Sequence, residues 1–264
     1  MYGKSFRELW RDWQAYEGER FQDYRQEGER LTRHGWKVGN PLLQEGKLFF
    51  TRAYPVRVGP FRERRHHELI ELDLCTGKES LKVTSPAPFT APLRIREGRL
   101  FYTTLEVQSG FANVYYNRFG FTSVLHELDL EKGRSKKILT DRIRAYTVLS
   151  EGGILYAKDR SDSFGSDLYL LKKGGEAPEL LSSSEYLVGD LLSDDSTLYL
   201  SARRDFRNFS LYTLDLQALV SGRMAPGFMQ LTPLLETPYL EGSLALSGKK
   251  LFFSANYEGT YSVF

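Results

Sequence analysis

A phrase repeated five times along the chain constrains its fold more than any other feature. It runs as a turn, a short apolar and aromatic stretch, a variable loop, a second apolar stretch, another turn, and a short stretch closing on Thr or Ser. The stretch after the first turn reads GKLFF at 46–50, GRLFY at 98–102, GILYA at 153–157, TLYLS at 197–201 and KKLFF at 249–253. Its partner reads HELIELDL at 67–74, SVLHELDL at 123–130, SDLYLLKK at 166–173, FSLYTLDL at 209–216 and TYSVF at 260–264. The closing stretch reads LKVT at 81–84, KILT at 137–140, ELLS at 179–182 and MQLT at 229–232. One more stretch precedes each first turn: NPLL at 40–43, APLRI at 91–95, YTVLS at 146–150, LVGDLLS at 187–193 and LEGSLALS at 240–247. Four short β-type stretches per unit, recurring roughly every 50 residues, predict small sheets stacked around an axis. A single such sheet cannot bury both of its faces, and stacking against its neighbours does so.

The expected fold class is therefore all-β: a five-bladed β-propeller of four-stranded blades. The fifth unit stops at Phe264 before its closing strand, and ERLTR at 29–33 supplies that phrase at the other end of the chain. Thr32 keeps phase with Thr84, Thr140, Ser182 and Thr232, so the expected ring is closed by an N-terminal strand, leaving no open sheet edge. A piece of a larger ring of six to eight blades is the alternative. Residues 1–28 stand apart from this propeller domain of 29–264. Ser5 and Glu8 have capping-box spacing. Phe6, Leu9, Trp10, Trp13, Tyr16, Phe21 and Tyr24 follow near helical spacing, predicting an amphipathic helix that ends near Gly28. That helix either caps the propeller or docks on another domain.

Composition removes several classes of function. The 17 Phe and 16 Tyr against 3 Met favour strands over helices. Lys plus Arg number 36 against 34 Asp plus Glu, and a net charge of +2 exerts no global pull on nucleic acid. No stretch approaches the roughly 20 apolar residues of a membrane span. The N-terminus lacks the basic-then-apolar layout of a signal peptide. Cys75 is the single cysteine, so no intramolecular disulfide is expected.

The residues able to carry chemistry are few, and each has a structural explanation. Of the 4 histidines, His126 falls at the inward position shared by Ile70, Tyr169 and Tyr212, which predicts a hydrogen-bonded core ring. His34 reads as a loop residue. His66 and His67 are adjacent on a strand and point to opposite faces, and no third ligand sits at metal-binding spacing. Asp73, Asp129 and Asp215 recur before the third-to-fourth-strand turn, where they are expected to cap turn amides. No G-x-S-x-G occurs, and Ser182, Ser183 and Ser184 read as an inter-blade loop. The polar stretch from Asp159 to Asp167 reads as a solvated hairpin, with weak binding of a hard cation as the sharper alternative. Asp190 and Glu241 are the obvious acids of the inner strands, where a five-bladed glycoside hydrolase or lyase would need converging carboxylates. The expectation is a non-enzyme with no catalytic residue, no metal and no cofactor.

Binding is the function left to the loops. Two long hairpins join second and third strands: one carries Arg57, Phe61, Arg62, Arg64 and Arg65, the other Phe111, Tyr115, Tyr116, Phe119 and Phe121. Arg203 and Arg204, with Phe206, Arg207 and Phe209, mark a third. Basic and aromatic side chains gathered on one face suit a protein or peptide partner. The bland alternative folds these loops over the rim, with Arg stacked on aromatic faces.

The G-K-L-F-F-type strands, the phrase IELDLCTG at 70–77 and the blade-ending L-T pairs resemble the propeller superfamily of periplasmic TolB-type proteins and prolyl oligopeptidase-like enzymes. The resemblance spans residues 29–264 and implies fold more than function. GKSFRELWRDWQAYEGERFQDY at 3–24 also resembles the linker helix between a zinc peptidase domain and such a propeller in bacterial exported proteins. This implies an accessory propeller partnered with an upstream peptidase domain, and an extracytoplasmic location; cytoplasmic is the alternative. The chain has no HExxH, and His66-His67-Glu68-Leu69-Ile70 lacks the second His.

Overall fold

In a computed structural model both aromatic stretches of every unit are β-strands. The structure describes residues 3–20, 31, 37–107, 121–160, 163–205, 207–222, 231–248, 250–257 and 262–263. Two compact units result, Met1–Gly35 and Trp36–Phe264. The first holds helix α1 (Phe6–Arg20). Its capping box is formed as expected: the Ser5 amide donates to Glu8 Oε2 at 2.7 Å, and the Glu8 amide donates to Ser5 Oγ at 3.4 Å. Residues 21–28 of the expected helix lie outside the described residues.

The second unit is a series of antiparallel sheets in chain order. The first contains β1 (Lys37–Gln44), β2 (Lys47–Gly59), β3 (Arg62–Asp73) and β4 (Glu79–Ser85). The second contains β5 (Arg94–Arg96), β6 (Arg99–Val107), β7 (Phe121–Asp129) and β8 (Arg134–Asp141). The third contains β9 (Ile143–Val148), β10 (Ile154–Asp159), β11 (Ser166–Leu171) and β12 (Glu179–Ser184). The fourth contains β13 (Tyr186–Ser193), β14 (Thr197–Arg204) and β15 (Ser210–Asp215), then helix α2 (Leu216–Val220) outside the sheet, and β16 (Thr232–Leu235). A last sheet holds β17 (Glu241–Ser247), β18 (Lys250–Ala255) and β19 (Ser262–Val263).

Four sheets are four-stranded, not the five expected; the last has three strands among the described residues. Residues 29–33, expected to complete it, lie outside the described residues except for Leu31. Three local expectations are corrected. Ser182–Ser184 is strand β12, not a loop, because Ser182, Ser183 and Ser184 pair with Leu168, Asp167 and Ser166. The closing strand of the fourth sheet starts at Thr232 rather than ending there, and carries Pro233 at the sheet edge, where a missing N–H costs no ladder bond. Helix α2 was not anticipated: Asp215 uses its carboxylate as a helix cap, accepting from the Ala218 amide at 2.8 Å.

Alternation along the strands builds the core between sheets. Leu100 and Tyr102 of β6 pack with Phe49 and Leu69 of the first sheet, whereas Phe101 packs with Tyr146 and Tyr156 of the third. Leu155 and Leu168 meet Val188 and Leu200 in the same manner. Hydroxyls join the layers: Ser123 donates to the Ile143 carbonyl at 2.9 Å, Ser166 accepts from the Val188 amide at 3.1 Å, and Ser201 donates to the Glu241 carbonyl at 2.7 Å. Each bond satisfies a backbone group of the next sheet's inner strand or the residue leading into it.

The inner strands meet at a buried ion pair. Arg94 of β5 donates to Asp190 of β13 at 2.9 Å and to the Leu191 carbonyl at 2.7 Å. The other Asp190 oxygen accepts the Leu244 amide of β17 at 2.8 Å. One carboxylate thus ties the second, fourth and last sheets together.

Candidate binding face

The second-to-third-strand hairpins and the connections between sheets share one end of this unit. The hairpin of the first sheet is the longest. β1 pairs with β2 only as far as Ala53, and β4 pairs with β3 only from His67. β2 and β3 continue past both, pairing from Tyr54 with His66 to Gly59 with Arg62. Residues 54–66 therefore form a two-stranded arm whose edges pair with no other strand among the described residues. Register places Tyr54, His66, Val56 and Arg64 on one face, and Pro55, Arg65, Arg57 and Glu63 on the other. The Tyr54 and His66 rings lie 5.3 Å apart, and the Tyr54 hydroxyl donates to Glu68 Oε1 at 2.9 Å, anchoring the base of the arm.

The arm divides the expected binding residues by role. Arg57 is occupied within the arm, donating to the Gly59 and Pro60 carbonyls at 3.2 and 2.9 Å. Phe61 at the tip is fully exposed, as are much of Val56, Val58, Arg64 and Arg65. Arg62 belongs to β3, with its side chain outside the described residues. The same holds for Phe121 at the start of β7. Phe111, Tyr115, Tyr116 and Phe119 lie outside the described residues altogether.

The third hairpin separates two neighbouring arginines. The Arg203 guanidinium lies 5.1 Å from the Phe209 ring and 6.0 Å from that of Phe164, a stack that joins the third and fourth sheets. Phe209 in turn presses on Gly189, where an added Cβ would stand 2.7 Å from the ring. Arg204 instead reaches Glu185 at 2.8 Å on the wall of a cleft of about 560 Å³. Arg207, Asn208, Tyr186, Tyr212 and Glu236 complete that wall. Tyr186 and Tyr212 meet edge to face at 5.1 Å, and the Tyr212 hydroxyl donates to Glu236 at 2.7 Å. Burial, reinforced by Glu236, pushes the Tyr212 hydroxyl well above its ordinary pKa, so it stays a donor. In the repeat Tyr212 is marked only as a core position, and Tyr186 and Glu236 are not marked at all. Nothing in their local spacing sets them apart from any other strand residue.

Behind this wall Glu241 is buried, accepting from Thr237, with Ser210 and Tyr257 also turned toward its carboxylate. Burial raises its pKa. Asp190 is likewise raised by burial, against the pull of Arg94 and two backbone amides. Asp73, Asp129 and His126 have structural roles, and His34 lies outside the described residues. Asp73 accepts from the Cys75 and Thr76 amides at 3.0 and 2.8 Å, and Asp129 from those of Glu131 and Lys132 at 3.1 and 2.9 Å. His126 stacks on Tyr102 at 4.8 Å and shares a 3.0 Å hydrogen bond with Thr104. Among the described residues no three His, Cys, Asp or Glu gather as a metal site. No described helix is long and apolar enough to cross a membrane.

No family model and no curated protein matches the chain in sequence. Solved structures match its fold. An acylaminoacyl peptidase from Pyrococcus horikoshii is similar over 86% of this chain at 10% identity and TM-score 0.54. The β-propeller domain of the Trilobed protease from Pyrococcus furiosus is similar over 86% at 13% identity and TM-score 0.50, with 81% of that chain covered. The chain is a β-propeller. TolB from Acinetobacter baumannii matches 87% of this propeller at 13% identity and TM-score 0.50. The propeller spans 44% of the acylaminoacyl peptidase and 55% of TolB. At these identities the likeness establishes the fold alone.

Proposed function

We propose that this propeller is a non-catalytic binding module that recognises a protein or peptide segment on its hairpin face. The observation that carries the reading is the arm of residues 54–66, a β-ribbon extended beyond its sheet with Phe61 fully exposed at the tip. A two-stranded ribbon in water is marginal by itself, and edges unpaired among the described residues, beside exposed apolar and basic side chains, suit strand addition or docking of a partner. The cleft of Tyr186, Arg204, Arg207 and Tyr212 adds aromatic and guanidinium groups of the kind that dominate binding energy at interfaces. Against a glycosidase, Asp190 and Glu241 are both buried, and Asp190 is held by Arg94 and two amides.

The test is selection from a displayed peptide library, with affinity then measured by fluorescence anisotropy. The wild-type chain should select a consensus, and a variant carrying F61D, R64A and R65A should bind it at least tenfold more weakly with unchanged thermal unfolding. Equal affinity for both proteins would remove the arm from the function.

A second reading makes this the accessory propeller of an exported peptidase. Its support is that the similarity to the acylaminoacyl peptidase covers less than half of that chain, alongside the linker-like stretch at 3–24. An extracytoplasmic location goes with this reading, and cell fractionation checks it.

A further inference from the structure

At the opposite end of the propeller, a cleft of about 270 Å³ opens between the second and third sheets. Phe101, Ile154 and Leu171 provide its apolar lining. The pairing register places Arg96 opposite Arg99, Phe101 opposite Glu127, and Glu127 opposite Lys136. Strand alternation then sets Arg96, Arg99 and Lys136 on the same face as Phe101. Lys173 comes from the third sheet, its side chain lying across Gly152 so closely that a Cβ there would stand 3.0 Å from Lys173 Cδ. The carboxylate on this face is already engaged: Glu127 pairs with Arg99 at 2.8 Å and with Lys136 at 3.3 Å. Arg96 and Lys173 have no ion-pair partner among the described residues, and Glu97 in the turn is the other acid of the lining.

We propose that this cleft binds a small dianion carried on an apolar body, either a phosphate monoester or a dicarboxylate. The lining carries six cations (Arg96, Arg99, Lys136, Lys137, Lys172 and Lys173, of which Lys172 pairs with Glu179 outside it) against two carboxylates, so the local field is positive although the whole chain is near neutral. Glu127 holds Arg99 and Lys136 in place. Arg96 and Lys173 are left to take the ligand's charge, and Phe101, Ile154 and Leu171 to take its body. The volume lies just below the range of about 300–1,000 Å³ usual for small-molecule sites, which restricts the ligand to roughly the size of one substituted ring.

Isothermal titration calorimetry of the full chain at low salt, with phenyl phosphate and with phthalate as probes, tests this. Binding of phenyl phosphate alone identifies a phosphate site, binding of phthalate alone a dicarboxylate site, and binding of both a site for dianions generally; each supports the proposal. The R96A/K173A double variant should weaken binding at least tenfold and K173A alone about threefold, because each removes a charge-assisted contact. K78A, on the first sheet, should leave affinity unchanged. Both substituted side chains are exposed, so thermal unfolding should match the wild type. Failure of both probes to bind, or binding that the double variant leaves intact, overturns the proposal.

Discussion

At the residue scale, this propeller spends its charged side chains on geometry. Asp190 is the clearest case: its two oxygens serve Arg94, Leu191 and Leu244, from three sheets. Removing one partner of a buried pair strands the other without its counter-charge, at a cost of about 3–5 kcal/mol. Asp190→Ala should lose that much stability in urea unfolding, whereas replacing both partners together, R94M with D190L, should cost clearly less. Equal losses would mean that the two charges are not coupled. His126 and His67 give a pH dependence. Burial is the main cause holding both rings below the ordinary imidazole value of 6.5; Glu106 opposes it at His126, while Lys137 at His126 and Arg65, His66 and Lys37 at His67 act in the same direction as burial. Between the lowered folded values and the ordinary one, the unfolded chain binds more protons, so stability falls as pH drops. The urea midpoint should be level above about pH 6.5 and decline below it, and His126→Phe should flatten that decline. A decline that H126F leaves unchanged would assign it to other groups.

At the scale of elements, strands that look alike in sequence have different tasks. β2 and β3 serve the first sheet over one half and form the arm over the other, the change falling where β1 and β4 stop pairing. Because Tyr54 faces His66, residues 55–65 can be replaced by Asn-Gly, a two-residue turn that suits the twist of a hairpin. We expect this shortened chain to unfold within about 0.5 kcal/mol of the wild type, since the arm adds little to the core. A large loss would show the arm to be part of the fold rather than of its binding surface. Helix α2 makes the reverse point: Asp215 stands where Asp73 and Asp129 cap tight turns, yet its carboxylate starts a helix. Leu216 and Leu219 are buried, so packing selects the helix where the turn residue alone could not.

At the scale of the molecule, the repeat carried most of the fold. Five recurrences of one phrase set the order of the sheets, and alternation within each strand set which face each side chain takes, as Phe101 and Tyr102 show by facing opposite neighbours. The binding surfaces were less legible. The arm was visible as a long, basic and aromatic loop. Its β-ribbon form and the use of Arg57 within it were not, because both depend on cross-strand register. The clefts at either end combine residues from separate strands or sheets, and no local spacing marks them.

The sequence by itself determined the β architecture, the sheet order, the turn aspartates Asp73 and Asp129 and the helix cap at Ser5, because each depends on residues close together along the chain. Tertiary structure decided what lies between sheets. Arg203 stacks between two phenylalanines while Arg204 lines a cleft, and Arg94 finds Asp190 across 96 residues. A strand's pattern shows which face a side chain takes, and the partner on that face belongs to the neighbouring sheet.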